Sequence, residues 1–237
     1  MSELALVSVA FNRPLLISHQ IRLLRKYLKD DYTLTVVDNS SEPKLIHQIM
    51  AICAGTGTPY VRAPTSKGQE HYDALNYAWR EILEPSGAPY VGTLDHDVFP
   101  ATETTVIDKI NKAGFYGVGQ RHSPTNHLYL WPGLWFASRQ WIAGREVNFD
   151  GIRGEHKRDD GDTGSANWPL FADVDWSDMF QGHFGYEAIR PPDDYGLQSW
   201  AVERLGDFLH LSNGSGWMAI PHPEQRERLC LEMLEQL

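Results

Sequence analysis

Pro89-Tyr90-Val91-Gly92-Thr93-Leu94-Asp95-His96-Asp97 is a short apolar run that ends in two carboxylates, and Phe99-Pro100 closes the segment. Bounded by Pro and Gly, the run reads as a buried strand. Asp95 and Asp97, at i and i+2, would share one face of an extended chain about 6.6 Å apart. Two like charges at the end of a core strand are costly unless a cation or strong hydrogen bonds compensate. Hard carboxylate oxygens suit magnesium or manganese, so a divalent ion carrying a phosphorylated ligand is the expected compensation. A solvated loop after a strand would require none of this. The choice between the two rests on what precedes the motif.

Upstream, strand and helix signals alternate. Leu4-Ala5-Leu6-Val7-Ser8-Val9-Ala10-Phe11 reads as a first buried strand. Asn12 is placed to cap the next helix, and Pro14 fits its first turn. Ile17, Ile21, Leu24 and Leu28 recur on one helical face. Tyr32 to Val37 is a β-rich second strand ending at Asp38-Asn39-Ser40-Ser41. Leu45, Ile46, Ile49, Met50 and Cys53 mark a second amphipathic helix, and Pro59-Tyr60-Val61-Arg62 a short third strand. Gly68 opens another helix, with Leu75, Ala78, Trp79 and Ile82 on one face. This β-α-β-α-β-α-β order predicts an α/β fold with a mostly parallel, doubly wound sheet. Ligands of such sheets lie at the carboxyl ends of the strands. Asn12 and Arg13, Asp38 and Asn39, and Asp95 and Asp97 would converge there.

The second half is less regular. Thr102 to Ala113 reads as a helix, Phe115 to Gly119 as a strand, and Leu128 to Ala137 as an aromatic strand pair broken by Pro132-Gly133. Residues 151–164 form a polar stretch of a length that compact domains reserve for functional or mobile loops. Phe208-Leu209-His210-Leu211 is a late strand followed by Ser212-Asn213-Gly214-Ser215-Gly216-Trp217, and an acidic amphipathic helix ends the chain. With 237 residues and 42% hydrophobic content, the chain can bury a substantial core. A net charge of −10, with no Lys/Arg run, argues against nucleic acid as a partner. Cys53 and Cys230 fit no metal or redox spacing. A reducing compartment, no leader and no membrane span are therefore expected, which together imply a cytoplasmic protein.

The order of these features resembles the GT-A glycosyltransferases, and within them the family-2-like group of inverting enzymes. Val7 to Pro14, Val36 to Ser41, Gly68 to Asn76 and Tyr90 to Asp97 carry the resemblance, and Gly133 to Arg139 is similar to the family's segment leading towards the acceptor half. It covers residues 4–100 well and extends more loosely to about residue 217. It implies a Rossmann-like sheet flanked by helices with a smaller acceptor-side region. Residues 1–100 would be a donor-binding half and 101–237 an acceptor and catalytic-base half of a single domain. The implied activity is transfer of a hexosyl group, with inversion, from a nucleoside-diphosphate sugar (a UDP-sugar) to a hydroxyl of a glycan or small molecule, with Mn2+ or Mg2+. The nucleotide-binding residues implied are Asn12, Arg13, Asp38, Asn39, Gly68, Asp95 and Ser215. Asp38 would accept from the base, though a turn-forming Asp explains it equally. Asp95, Asp97 and His210 would hold the metal. A histidine between apolar residues is also what a satisfied core histidine looks like. No role is expected for His96, which should point to the opposite face.

Inverting transfer requires a general base on the acceptor hydroxyl. Asp162, in Asp159-Asp160-Gly161-Asp162-Thr163-Gly164, is the expected one, with Asp173 and Asp175 as alternatives and a helix-capping role as the plain reading of Asp162. The acidic pair followed by a basic residue that many family-2 members carry here is absent. Trp131, Trp135 and Trp141 are candidates for a sugar-stacking platform. Two other functions fit parts of the pattern. A sugar-nucleotidyltransferase would carry a Gly-rich basic first loop, where this chain has Phe11-Asn12-Arg13-Pro14. A catalytically inactive nucleotide- or carbohydrate-binding module would suit the aromatic second half.

Overall fold

β1 (Leu4–Ala10) is buried at every position, as a parallel strand covered on both faces must be. It pairs in parallel with β2 (Tyr32–Asp38) on one side and β4 (Tyr90–Asp95) on the other. β3 (Tyr60–Arg62) adds to β2 in parallel. Two antiparallel strands, β7 (Leu128–Ser138) and β6 (Phe115–Arg121), complete the order β3-β2-β1-β4-β7-β6. The chain therefore adopts the α/β, mostly parallel sheet expected from its sequence. The computed structural model describes residues 2–64, 70–122, 125–152, 161–176, 186–189, 202–211 and 223–237.

The period-2 alternation of β1 sorts the two faces. Ala5, Val7 and Val9 join the cluster containing Ala74, Leu75 and Ala78 of helix α3 (His71–Ala78). Leu4, Leu6 and Ala10 meet α1 (Pro14–Tyr27), α2 (Pro43–Thr56) and α4 (Val106–Ala113) through Ile17, Ile21, Ile49, Val106 and Ile110. Each such aliphatic side chain contributes about 1.5–3 kcal/mol when fully buried. That pattern fixes which face each helix covers.

A second, antiparallel sheet has the order β5-β10-β9-β8, from β5 (Val98–Pro100), β10 (Phe208–Leu211), β9 (Val202–Leu205) and β8 (Tyr186–Ile189). Leu16 and Leu23 of α1 cover it together with Cys230 and Leu234 of the last helix. That helix, α5 (Pro223–Gln236), is tied to α1 by Arg22 donating to the Leu234 carbonyl and Tyr27 to the Leu237 carbonyl, each at 2.5 Å. Both cysteines are free and buried. No helix among the described residues is long and apolar enough to cross a membrane.

Several local expectations differ from the structure. Residues 128–138 are one strand, not a pair. Opposite Gly117 and Val118 the register jumps from Trp135 to Trp131, so Pro132, Gly133 and Leu134 have no partner on β6 and form a buried bulge. Proline has no N–H to pair, and the Thr93 hydroxyl secures the Pro132 carbonyl instead at 2.6 Å. Helix α4 starts at Val106 rather than Thr102, because the Asp30 carboxylate accepts from the Val106 N–H at 2.7 Å and supplies the cap from outside. Asn12 caps nothing in α1. Its backbone is left-handed (φ 52°) and its side chain crosses to the β2–α2 loop. Met50 faces solvent, while Ile49 and Cys53 carry the buried face of α2.

Candidate functional site

Asp95 is the last residue of β4, but the extended geometry stops there. His96 and Asp97 form a turn and β5 begins at Val98, so the two carboxylates meet across a turn rather than along one strand face. A buried side chain absent from the sequence reading builds that turn. Gln20 of α1, with no exposed surface, donates to the Asp95 carbonyl at 2.7 Å and the Val98 carbonyl at 2.8 Å, and accepts from Ser8 at 2.6 Å. His96 is buried, its Nδ1 donating to the Val9 carbonyl at 3.1 Å.

Each carboxylate of the turn faces a histidine. His71, the first residue of α3, places Nε2 3.0 Å from Asp95 Oδ1. Burial pulls the His71 pKa down, but Asp95 beside it, with Asp97 and Asp162 nearby, outweighs burial and leaves it raised. Burial likewise pushes Asp95 up, and His71, His96 and His210 hold it below the usual carboxylate range. On the other side His210 Nε2 lies 3.9 Å from Asp97 Oδ1, while His210 Nδ1 donates to Glu203 Oε2 at 2.8 Å. Burial lowers the His210 pKa, and the Glu203 hydrogen bond with the charges of Asp97 and Asp95 raises it above its ordinary value.

Sheet register explains why a residue so late in the chain arrives here. β10 pairs with β5, the strand that immediately follows the turn, so His210 stands opposite Val98 and the Leu211 N–H donates to the Asp97 carbonyl at 2.9 Å. Trp131 covers the histidine, with ring centroids 4.6 Å apart.

The neighbouring strand ends supply a second polar group. Asp38 is completely buried. Its Oδ1 accepts from the Ser40 N–H at 2.8 Å, its Oδ2 from the Tyr60 hydroxyl at 2.9 Å, and Arg62 stands 3.7 Å away. A lone buried carboxylate would cost several kcal/mol, and these partners offset it. Asn12 bridges the two loops by donating from Nδ2 to the Ser41 hydroxyl at 2.9 Å and accepting from the Ser41 and Glu42 N–H groups. Its own N–H reaches Ser40 Oγ at 2.7 Å. Asn39 is buried, and Arg13, half-buried, precedes the first turn of α1. The strand ends of β1, β2 and β4 thus bring Asn12, Arg13, Asp38, Asn39, Asp95 and Asp97 to one rim.

Asp162 is exposed and close enough to this rim for its charge to act on His71. Its segment is anchored from both sides. The Gly164 N–H donates to the Phe149 carbonyl at 2.7 Å, and the Ile152 N–H to Ser165 Oγ at 2.7 Å. Gly164, at φ 84°, leaves no room for a side chain, because a Cβ would stand 2.8 Å from Pro132 of the bulge. Asn76 of α3 completes the frame, donating to Asp150 and accepting from the Phe149 N–H.

Other expected residues are elsewhere. Asp173 and Asp175 are exposed beside Phe171 and Trp176, which pack on Phe115. Phe115 lies in the Val91 row of the sheet, four residues or about 13 Å from Asp95 along the strand. Trp135 is fully buried between Trp79 and Phe149, and Trp141 packs on Phe115 and Phe171 at the same distant end. Of the three tryptophans only Trp131 stands at the rim. Gly68 and Ser215 lie outside the described residues. His71, Glu203 and Gln20 were missed by sequence reasoning. Glu203 had one legible signal, since a hairpin between Val202 and Leu211 sets it opposite His210.

Among the described residues no group of three or more His, Cys, Asp or Glu is arranged as a ready metal cluster. The donor set nonetheless fits a hard divalent ion. Asp97 Oδ1 and His210 Nε2 stand 3.9 Å apart and would supply the ion with a carboxylate oxygen and an imidazole nitrogen. Magnesium-type sites take one or two carboxylates and complete the shell with water and substrate phosphate, so a third protein ligand is not required.

No protein-family model and no curated protein matches this chain. Solved structures with a similar backbone include a mannosyltransferase from Pyrobaculum calidifontis in complex with GDP-Man and Mn2+, 14% identical at a TM-score of 0.45 over 60% of this chain and 46% of that one. S. aureus TarS 1-349 in complex with UDP is 17% identical at 0.44, over 62% of this chain and 50% of its own. Glucosyl-3-phosphoglycerate synthase from Mycobacterium tuberculosis, in complex with Mn2+, UDP and phosphoglyceric acid, is 16% identical at 0.48, over 73% and 65%. The chain thus spans half or less of the length of the first two.

Proposed function

We propose that this protein is a metal-dependent glycosyltransferase that moves a sugar from a nucleoside-diphosphate donor, a UDP-sugar, to a hydroxyl of a glycan or small molecule, with inversion. The observation that carries the reading is Asp97 facing His210 beside Asp95, on the carboxyl rim where the loops after β1 and β2 also end. Asp97 and His210 would hold Mn2+ or Mg2+, with Asp95 turning from His71 to the ion or the ribose. When bound, the ion neutralises charge on the departing diphosphate. The nucleoside lies along the β1 and β2 loops. There Asp38 anchors the Asn39–Ser41 backbone, and because it has no exposed surface it takes a base N–H only if the groups that cover it move. Arg13 and Asn12 border this track. Asp162, on its braced segment, accepts the proton of the acceptor hydroxyl. Trp131 offers an aromatic face for a sugar ring.

The test is thermal melting and titration calorimetry with UDP, with and without Mn2+. The parent protein is expected to be stabilised by the pair, and Asp97→Ala to keep its fold but lose the manganese-dependent part. Equal binding by parent and variant would remove Asp97 from the site. No stabilisation of the parent by any nucleoside diphosphate would overturn the reading.

A further inference from the structure

We infer that Glu203 is a positioning residue for His210, orienting the ring so that Nε2, and not Nδ1, is presented to the ion held with Asp97. This rests on the metal-dependent reading above and extends it to a residue outside the metal's reach.

The geometry is a line of three side chains. Glu203 Oε2 takes the Nδ1–H at 2.8 Å, and the opposite nitrogen looks at Asp97 Oδ1 from 3.9 Å. A carboxylate can only accept here, so Nδ1 must carry the hydrogen, and in the neutral ring the lone pair is left on Nε2. The contact is built into the fold. Glu203 on β9 and His210 on β10 are direct cross-strand partners, and His210 is also registered against Val98 on β5, one residue after Asp97. Ring rotation is restrained further by Trp131, whose ring sits 4.6 Å from that of His210. The side chains are largely shielded, with 6% of Asp97, 14% of His210 and 24% of Glu203 exposed. A hydrogen bond there is not readily exchanged for water. A carboxylate on the far nitrogen of a ligating histidine fixes the ring orientation and makes the near nitrogen a better donor.

The experiment measures binding of Mn2+ alone to the full chain, from the free-ion electron paramagnetic resonance signal. Glu203→Ala is expected to weaken Mn2+ binding about 10- to 100-fold. Glu203→Gln, whose amide oxygen still accepts from Nδ1, should stay near the parent. Glu203→Thr, which suits a strand, gives a second truncation if the alanine variant does not fold, and melting without metal checks each fold. In a His210→Ala background, removing Glu203 should cause no further loss, because its effect passes through the ring. Truncations that bind Mn2+ as tightly as the parent, or that lose as much again without His210, overturn the inference while leaving the metal site in place. A parent protein that binds no Mn2+ overturns the inference and the metal-dependent reading together.

Discussion

Gln20 shows how much one side chain can organise. It is fully buried and joins three partners, Ser8 from β1 and the backbone on either side of the His96-Asp97 turn. Gln20→Ala leaves those groups without partners in an interior that water does not reach. The expected cost is about 2–4 kcal/mol, read as a lower midpoint in urea unfolding. The turn loses its clamp at the same time, so UDP and Mn2+ should stabilise the variant less than the parent. A variant as stable as the parent would show that the turn holds without Gln20. Asp95, Asp97 and His210 were legible in the sequence because each follows or interrupts an apolar run at a strand signal. Gln20 and His71 were not, since a glutamine and a histidine among helical residues carry no periodic mark. What they touch depends on chain 75 and 24 positions away.

At the scale of elements, the β9–β10 turn is tied back to the entry of α4. Asp207 accepts from the Thr104 hydroxyl at 2.8 Å and from Lys109. Burial pushes the Asp207 carboxyl up, but hydrogen bonds from Lys109 and Thr104 with the lysine charge outweigh it, and its pKa is lowered. Because the folded-state value lies below the unfolded one, this contribution is fully present above about pH 4 and fades as pH falls through the folded value. The carboxylate is 37% exposed, so solvent screening holds the expected loss in Asp207→Asn to about 0.5–1 kcal/mol at pH 7. The gap between the unfolding midpoints of parent and variant should narrow as pH falls below about 4, and a gap independent of pH would assign the effect to packing. Elements were read well from sequence where their signal is periodic, as in β1, β2, α1 and α5. They were misread where a partner from elsewhere sets the boundary. Asp30 decides where α4 begins, and Thr93 holds the Pro132 bulge inside a single strand.

Across the whole molecule, the two sheets meet at the turn between β4 and β5, and segments from both halves of the chain close around it. Asp162 reaches that place because Asn76, Phe149 and Ser165 brace its segment against α3 and the β7 bulge. Asp162→Asn is expected to keep UDP and Mn2+ binding and lose sugar transfer by about 100-fold or more, measured as release of free UDP across a panel of donors and acceptors. Transfer at the parent rate would take the proton-accepting role away from Asp162.

Hydrophobic periodicity and strand-end chemistry, both local properties, were enough to read the α/β class, the order of the first four strands and the polar residues that tip them. Which groups face those residues is a matter of long-range pairing. β10 lies on β5, so His210, with Glu203 behind it, reaches Asp97 from more than a hundred residues away. α3 delivers His71 to Asp95, and the row position of Phe115 sends Asp173, Asp175 and Trp141 to the far end of the sheet. A periodic pattern records which side of an element is buried, but it holds no record of what is buried against it.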